Sequence, residues 1–267
     1  MKNIFGGIAV AFSMYSRIPM PHWEWTEESM RYSMCFFPAI GIVTGCLELL
    51  WLLVASLTGI GVLFTAAVAI ILPVLVSGGI HLDGFLDTSD ALSSWRTREE
   101  RLRILKDPHA GAFAVISGIV LFVVLFGAAG ELAGSMISGG KDHRDITAIL
   151  PAFVMARGFS ALSVVTFPGA NPKGTVAAFS GASAKKAVVL SSLIYIVGSA
   201  GLSVFLDPLT GVLLTGVCLV IFGLYRHTAM KYFGGTTGDL CGWFVTLAET
   251  AMLLAGVLGS LIERNLL

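Results

Sequence analysis

The sequence predicts an all-helical bundle that crosses a membrane about seven times. Three observations carry that prediction. Of the 267 residues, 55% are hydrophobic and 13% charged, against about 25% charged in an average soluble domain. A soluble fold of this length cannot hide so much apolar surface in its core. The apolar residues also gather into stretches near the ~20 residues that a helix needs to cross the hydrocarbon. Finally, the Lys and Arg residues fall almost entirely on one side of the path those stretches would thread. The same composition excludes a disordered chain, a secreted disulfide scaffold and a nucleic-acid-binding domain. The formal net charge is +0, so there is no basic footprint for a polyanion.

In chain order, Ile4–Met20 is apolar but short and ends in Arg17-Ile18-Pro19-Met20-Pro21. It reads as an interfacial or re-entrant helix within a cytoplasmic segment, residues 1–32. The seven predicted spans begin with Ser33–Leu57, closed by Thr58-Gly59, and Ile60–Ile80. Ala110–Gly134, Ile146–Thr166 and Ala187–Leu206 follow; Asp207-Pro208 then opens Leu209–Arg226, and Cys241–Leu261 is the last. Gly and Pro at these breaks are turn chemistry. Six or eight spans also fit the profile. There is no internal repeat, so residues 1–267 read as one transferase-sized membrane domain. Met1–Met20 lacks an apolar region followed by a small-residue cleavage site, so no removable signal peptide is expected. Cys35, Cys46, Cys218 and Cys241 form no C-x-x-C pair and read as free thiols.

Orientation follows from the cations. With residues 1–32 cytoplasmic, thirteen of the 17 Lys and Arg residues face the cytoplasm. Lys141, Arg144 and Arg264 face the other side, and Arg157 lies inside a span. This topology places three polar, Gly-containing segments at the cytoplasmic face: His81–Asp90 within the 81–109 connection, Lys106–Gly111 and Gly234–Asp239. Each abuts a span, which points to a shared site at the cytoplasmic surface of the cell membrane. The 31 glycines permit close helix packing within a protomer or between protomers of a homo-oligomer.

The sharpest motif is Gly78-Gly79-Ile80-His81-Leu82-Asp83-Gly84-Phe85-Leu86-Asp87-Thr88-Ser89-Asp90. It is expected to continue the second span without a break. On a helix Asp83, Asp87 and Asp90 fall at i, i+4 and i+7, on one face, while His81 points elsewhere. Carboxylates stacked this way repel one another, and a divalent cation removes the repulsion. Oxygen-only ligands suit Mg2+ or Mn2+. Farther along, Lys106-Asp107 precedes Pro108 and Gly111, where a phosphate can meet Lys106 and a helix start. The arginines from Arg96 to Arg103 read mainly as membrane-surface anchors, and His109 as a surface residue with no evident partner. Gly234-Gly235-Thr236-Thr237-Gly238-Asp239 enters the last span as a Gly-rich turn able to cradle an anion. There Asp239 is either a helix cap or a further metal ligand. Glu249 and Arg157 are ionisable residues inside spans, either functional or paired with each other. Glu48 and Glu131 are weaker candidates. No Ser-His-Asp arrangement, Walker A sequence or dinucleotide fingerprint is present.

At the acidic motif the chain resembles the cobalamin synthase family, also called adenosylcobinamide-GDP ribazoletransferases. Gly78–Asp90 matches each fixed position of the family's G-G-x-H-x-D-G-x-x-D-T-x-D pattern. The resemblance extends to Arg17-Ile18-Pro19, to Lys106-Asp107 with Gly111, to Arg157 and to Gly234-Gly235-x-Thr237-Gly238-Asp239, and so spans most of the chain. Thr246 stands where many members carry an acid, Glu249 matches a second acid three residues later, and Pro108 replaces a common Ser.

The resemblance implies that adenosylcobinamide-GDP is joined to α-ribazole, or its 5'-phosphate, to give adenosylcobalamin or its phosphate with release of GMP. Mg2+ is the implied cofactor, with Asp83, Asp87, Asp90 and Asp239 as its candidate ligands. His81, Asp83, Asp87 and Lys106 are the candidate catalytic residues, and Gly234, Gly235, Thr237 and Gly238 would hold substrate phosphate. Two rivals are a CDP-alcohol phosphotransferase and a transporter. The first uses a D-x-x-D-G-x-x-A-R pattern that this chain does not reproduce. The second gives no reason for an acidic cluster outside the bundle core.

Overall fold

The computed structural model describes residues 2–137 and 144–266, and every regular element among them is helical. Lys141, placed above on the side opposite the cationic face, lies outside the described residues. The chain opens with α1 (Lys2–Tyr15), the single turn α2 (Glu27–Met30) and the long α3 (Ser33–Thr58). A capping box starts α2: the Thr26 hydroxyl accepts from the Ser29 N–H at 3.2 Å, and the Ser29 hydroxyl accepts from the Thr26 N–H at 3.0 Å. Gly59 ends α3 in the left-handed region, φ +70°, which glycine adopts without a Cβ penalty. The chain then returns along α4 (Val62–Ser77), where the Trp51 indole N–H donates to the Thr65 carbonyl at 3.0 Å.

The expectation that the second span runs unbroken into the acidic motif is wrong. Gly78 and Gly79 both take positive φ, +65° and +82°, and the chain turns by 95° into α5 (Ile80–Ser93). Two consecutive left-handed residues end a helix, and only glycines adopt that pair cheaply. After the turn, α5 packs against two helices that follow it in the chain.

Next come α6 (Arg98–Ile104), with a Thr97/Glu100 capping box, and α7 (Ala112–Ile137). The fourth span is interrupted at Leu150-Pro151, between α8 (Arg144–Ile149) and α9 (Ala152–Thr166). Almost every face of α9 is buried, which makes it the central helix. After α10 (Thr175–Ala182) come α11 (Lys185–Leu206) and α12 (Pro208–Thr228). Asp207 caps α12, its carboxylate accepting from the Thr210 N–H at 2.7 Å, and Pro208 occupies a first-turn position whose N–H has no helical use. A π-helical turn, Ala229–Phe233, leads to α13 (Gly238–Leu266).

Among the described residues, six helical stretches are long and apolar enough to cross a bilayer, and the bent α4–α5 pair makes up to seven. Phe64, Ile119, Val123, Val197 and Val220 stand exposed on their outer faces. Water would reject so continuous an apolar surface, whereas lipid accepts it. The chain is a multi-pass membrane protein built as a helical bundle.

Candidate active site

The site is made where α5 crosses the start of α13. Each helix contributes a glycine to the crossing. A Cβ on Gly84 would lie 2.5 Å from the Asp239 carbonyl oxygen and 2.9 Å from its Cα. A Cβ on Gly242 would meet the His81 and Ile80 backbone at 3.1–3.2 Å. These glycines allow backbone to touch backbone, and that contact sets Asp239 beside the acidic face of α5. Gly84→Ala is therefore expected to push the helices apart, because the opposing atoms are main chain and cannot swing away. Overpacking of this kind costs about 1–3 kcal/mol. The check is thermal unfolding of the purified variant together with its specific activity, both of which fall.

Asp83, Asp87 and Asp90 share a face of α5 as the spacing predicts. Asp83 is exposed, and Asp87 and Asp90 are half-buried. The bundle adds Asp239 to them. Burial, followed by the charges of Asp83, Asp239 and Asp90, pushes the Asp87 carboxyl up to about 6. Asp239 is not the cap of α13. Thr237 takes that role, its hydroxyl accepting from the Leu240 N–H at 3.2 Å and donating to the Asp239 carboxylate at 3.5 Å. Asp90 divides its attention: the Ala114 N–H donates to its Oδ1 at 3.4 Å, and its carboxylate sits where a Gly111 side chain would be. It thus also serves the positive start of α7.

Among the described residues, no three His, Cys, Asp or Glu side chains stand close enough together to enclose a metal ion. The donor set nonetheless fits Mg2+, which takes one or two carboxylates and fills its shell with water and phosphate oxygens rather than an all-protein cage.

The Gly-rich turn is held from two sides. Gly234 and Gly235 have φ +70° and +159°. The Thr236 N–H donates to the Pro168 carbonyl at 2.8 Å, and the Ala170 N–H donates to the Thr236 carbonyl at 2.9 Å. Beneath it the buried Tyr225 hydroxyl meets Thr236 Oγ1 and, at 3.1 Å, Ser163 Oγ. Above it sits a group that the sequence motifs did not single out. The Arg98 guanidinium rests on Gly234, in the space a Cβ would fill. Arg17 likewise packs over Gly78, and Arg101 is buried with its guanidinium 4.7 Å from the Tyr232 ring centroid. Only spatial proximity reveals these roles; in the sequence Arg98 and Arg101 are part of a cationic run and Arg17 belongs to the separate Arg17-Ile18-Pro19 segment. Lys106 stands exposed at the end of α6. His109, expected without a partner, is exposed but pairs with Asp107 at 2.8 Å.

Two cavities flank α5, and His81 lines both. His81 points inward, unlike Asp83; it is 8% exposed, packs edge-on to Phe37, and its Nε2 has no hydrogen-bond partner. The larger cavity holds about 1200 Å³ of unfilled space, counting its open mouth, between α3, α4, α7, α9 and α13. Its walls are mostly apolar. On it lie Glu48 and the Arg157–Glu249 ion pair, which resolves the two span-embedded charges as partners. The smaller cavity, about 750 Å³, abuts Asp83 and Asp239. Glu131 is exposed on α7, away from both cavities.

Fold and site together define a multi-pass membrane transferase whose carboxylates gather where α5 meets the start of α13, with the Arg98 guanidinium on the Gly-rich turn that precedes α13. The chain belongs to the cobalamin-5-phosphate synthase family (CobS), whose model matches residues 7–257. It is 42% identical over 248 residues to an adenosylcobinamide-GDP ribazoletransferase of Lachnoclostridium phytofermentans, covering 93% of this chain and 90% of that one. A protein of the same description from Clostridium botulinum is 32% identical over 97% of this chain and 99% of its own. One from Pseudomonas paraeruginosa is 32% identical over 96% and 99%. No solved structure matches the chain. The family excludes the CDP-alcohol and transporter readings.

Proposed function

We propose that this chain joins adenosylcobinamide-GDP to α-ribazole, or to its 5'-phosphate, with release of GMP, at the acid cluster formed by α5 and the start of α13. The observation that carries the placement is the seating of Asp239 beside Asp83 and Asp87, across a glycine-to-backbone contact. The ribose 3'-hydroxyl oxygen bonds to the phosphorus nearest the cobinamide. The bond from that phosphorus to the bridging oxygen breaks, and GMP leaves with that oxygen.

One or two of the Asp83, Asp87, Asp90 and Asp239 carboxylates would hold Mg2+, with water and phosphate oxygens completing its shell. When bound, the ion offsets the diphosphate charge and the charge that grows on the leaving phosphate. His81 has a free, buried Nε2, lines the cavity that Asp83 and Asp239 also line, and takes the hydroxyl proton. Arg98, over the Gly234–Gly235 turn, and Lys106 neutralise phosphate oxygens. The turn and the first N–H groups of α13, with Thr237 and Gly238, orient them. The matched length works as a single transferase domain. The site faces the cytoplasm, because Arg17, Arg98 and Arg101 all pack at the same end as the acids and cations mark the cytoplasmic side.

The test uses membranes containing the full chain, supplied with adenosylcobinamide-GDP and α-ribazole or its phosphate, with and without Mg2+. GMP and a cobalamin product are expected to appear together and only with the metal. GMP formation that persists in chelator would overturn the metal assignment; absence of product with either acceptor would overturn the reaction. A pH series adds a second readout. With Asp87 titrating near 6 in the metal-free protein, protons compete with the cation below that pH. The Mg2+ concentration for half-maximal rate is therefore expected to rise as pH falls through about 6.

A further inference from the structure

We infer that the smaller cavity receives the heteroaromatic base of the ribazole acceptor, and that Tyr15, Phe37 and Phe179 determine which bases fit. The inference rests on the acid cluster being the transfer centre and extends that reading to the acceptor's far end. On a ribazole, the base and the attacking hydroxyl sit on opposite ends of one furanose ring. The space that takes the base must therefore adjoin the acids directly. Of the two cavities, only the smaller is lined by any of them, Asp83 and Asp239.

Its lining also has the right chemistry. The Tyr15 and Phe37 rings lie 4.5 Å apart, and Tyr15 and Phe179 6.2 Å apart. This aromatic corner offers faces and edges for a flat ring system. Met14 and Met34 add soft, adaptable contacts. Phe37 and Phe179 are almost fully buried, so they form fixed walls rather than surface flaps. Polar atoms are few and specific. The Tyr15 hydroxyl lies near Cys241 within the same enclosure. A base with one free ring nitrogen needs one such donor. Its unfilled space, about 750 Å³ counting its open mouth, opens beside the acids, where the ribose would sit.

The test measures kcat/KM in membranes for three acceptors: α-ribazole, the riboside of unsubstituted benzimidazole, and the riboside of a wider tricyclic naphthimidazole. Phe179→Ala widens the cavity. It is expected to raise the KM for α-ribazole and to move relative preference toward the tricyclic base, each by about tenfold, the scale on which pocket-filling groups discriminate. Val176→Phe narrows the same enclosure and is expected to favour the unsubstituted base. The KM for adenosylcobinamide-GDP stays at the parent value in both, which also reports a folded protein. Should Phe179→Ala not accumulate in membranes, Phe179→Leu carries the same comparison. Ala129→Leu, in the wall of the larger cavity, is expected to change none of these preferences. Base preferences unchanged in the Phe179 and Val176 variants, or shifted by Ala129→Leu, would overturn the inference. Asp87→Asn in parallel separates the two readings. If it is inactive with every acceptor while the cavity variants change nothing, the transfer centre stands and the base site does not; if it retains parental activity, the transfer centre itself fails.

Discussion

Asp87→Asn is expected to lower the rate of GMP release by roughly a thousandfold, ~4 kcal/mol in transition-state stabilisation, while leaving the protein at least as stable as the parent. The two effects have opposite signs for one reason. Asp87 is held among Asp83, Asp90 and Asp239 with no cation among the described side chains tied to it as an ion pair. Its negative charge is unfavourable to the folded chain and useful only when a cation or a phosphate-bound metal arrives. Asn keeps the shape and removes the charge, so repulsion is relieved and the metal affinity is lost. A residue of purely structural importance would lose stability and activity together. The graded series is equally diagnostic. Asp90→Asn is expected to reduce activity less than Asp87→Asn, because Asp90 already accepts from the start of α7. Thermal unfolding in detergent, alongside GMP release at several Mg2+ concentrations, checks both.

Glu249→Gln is the second large effect, and it falls on stability. Arg157 is 1% exposed, donates to the Phe153 carbonyl at 2.9 Å and pairs with Glu249. Removing one partner of a buried pair costs about 3–5 kcal/mol, because the remaining charge is left without compensation. The cost is asymmetric. A stranded carboxyl can take up a proton and become neutral, whereas a guanidinium cannot shed its charge. Glu249→Gln should therefore lower the melting temperature more than Arg157→Gln does. Glu48 faces the same cavity, close enough for the two acids to feel each other. Their repulsion is relieved by either change and only once by both, so Glu48→Gln combined with Glu249→Gln should cost more than the two single changes added. The specific activity of the surviving folded fraction should stay within a few-fold of the parent, because neither Arg157 nor Glu249 lines the cavity that holds the acids.

Much of this was legible in one dimension. Apolar stretches of span length are a local property, and lipid demands them wherever the chain crosses. The turn signals at Thr58-Gly59 and Asp207-Pro208 act within a few residues, so both were readable. The i, i+4, i+7 spacing put Asp83, Asp87 and Asp90 on one face because helical periodicity is also local. The Gly-Gly pair was visible, but the 95° turn it makes was not. Gly78-Gly79 can sit inside a span as readily as end one. The choice is set by the packing of α5 on α7 and α13 and by Arg17 over Gly78.

What the sequence alone determined is the class of molecule: a helical membrane protein with a carboxylate-rich segment, cations on one side and the motifs of a known transferase family. What only the tertiary structure decided is which groups meet. It brought Asp239 to Asp87, freed it from helix capping by giving that task to Thr237, seated Arg98 on the Gly234 turn and matched Arg157 with Glu249. It also opened the two cavities that share His81. The physical reason is range. Helix formation and hydrophobic length are settled between residues a few positions apart, whereas these encounters join segments up to 156 positions apart, as from Asp83 to Asp239. Only the close approach of Gly84 and Gly242 to the opposing backbones makes that last encounter sterically allowed.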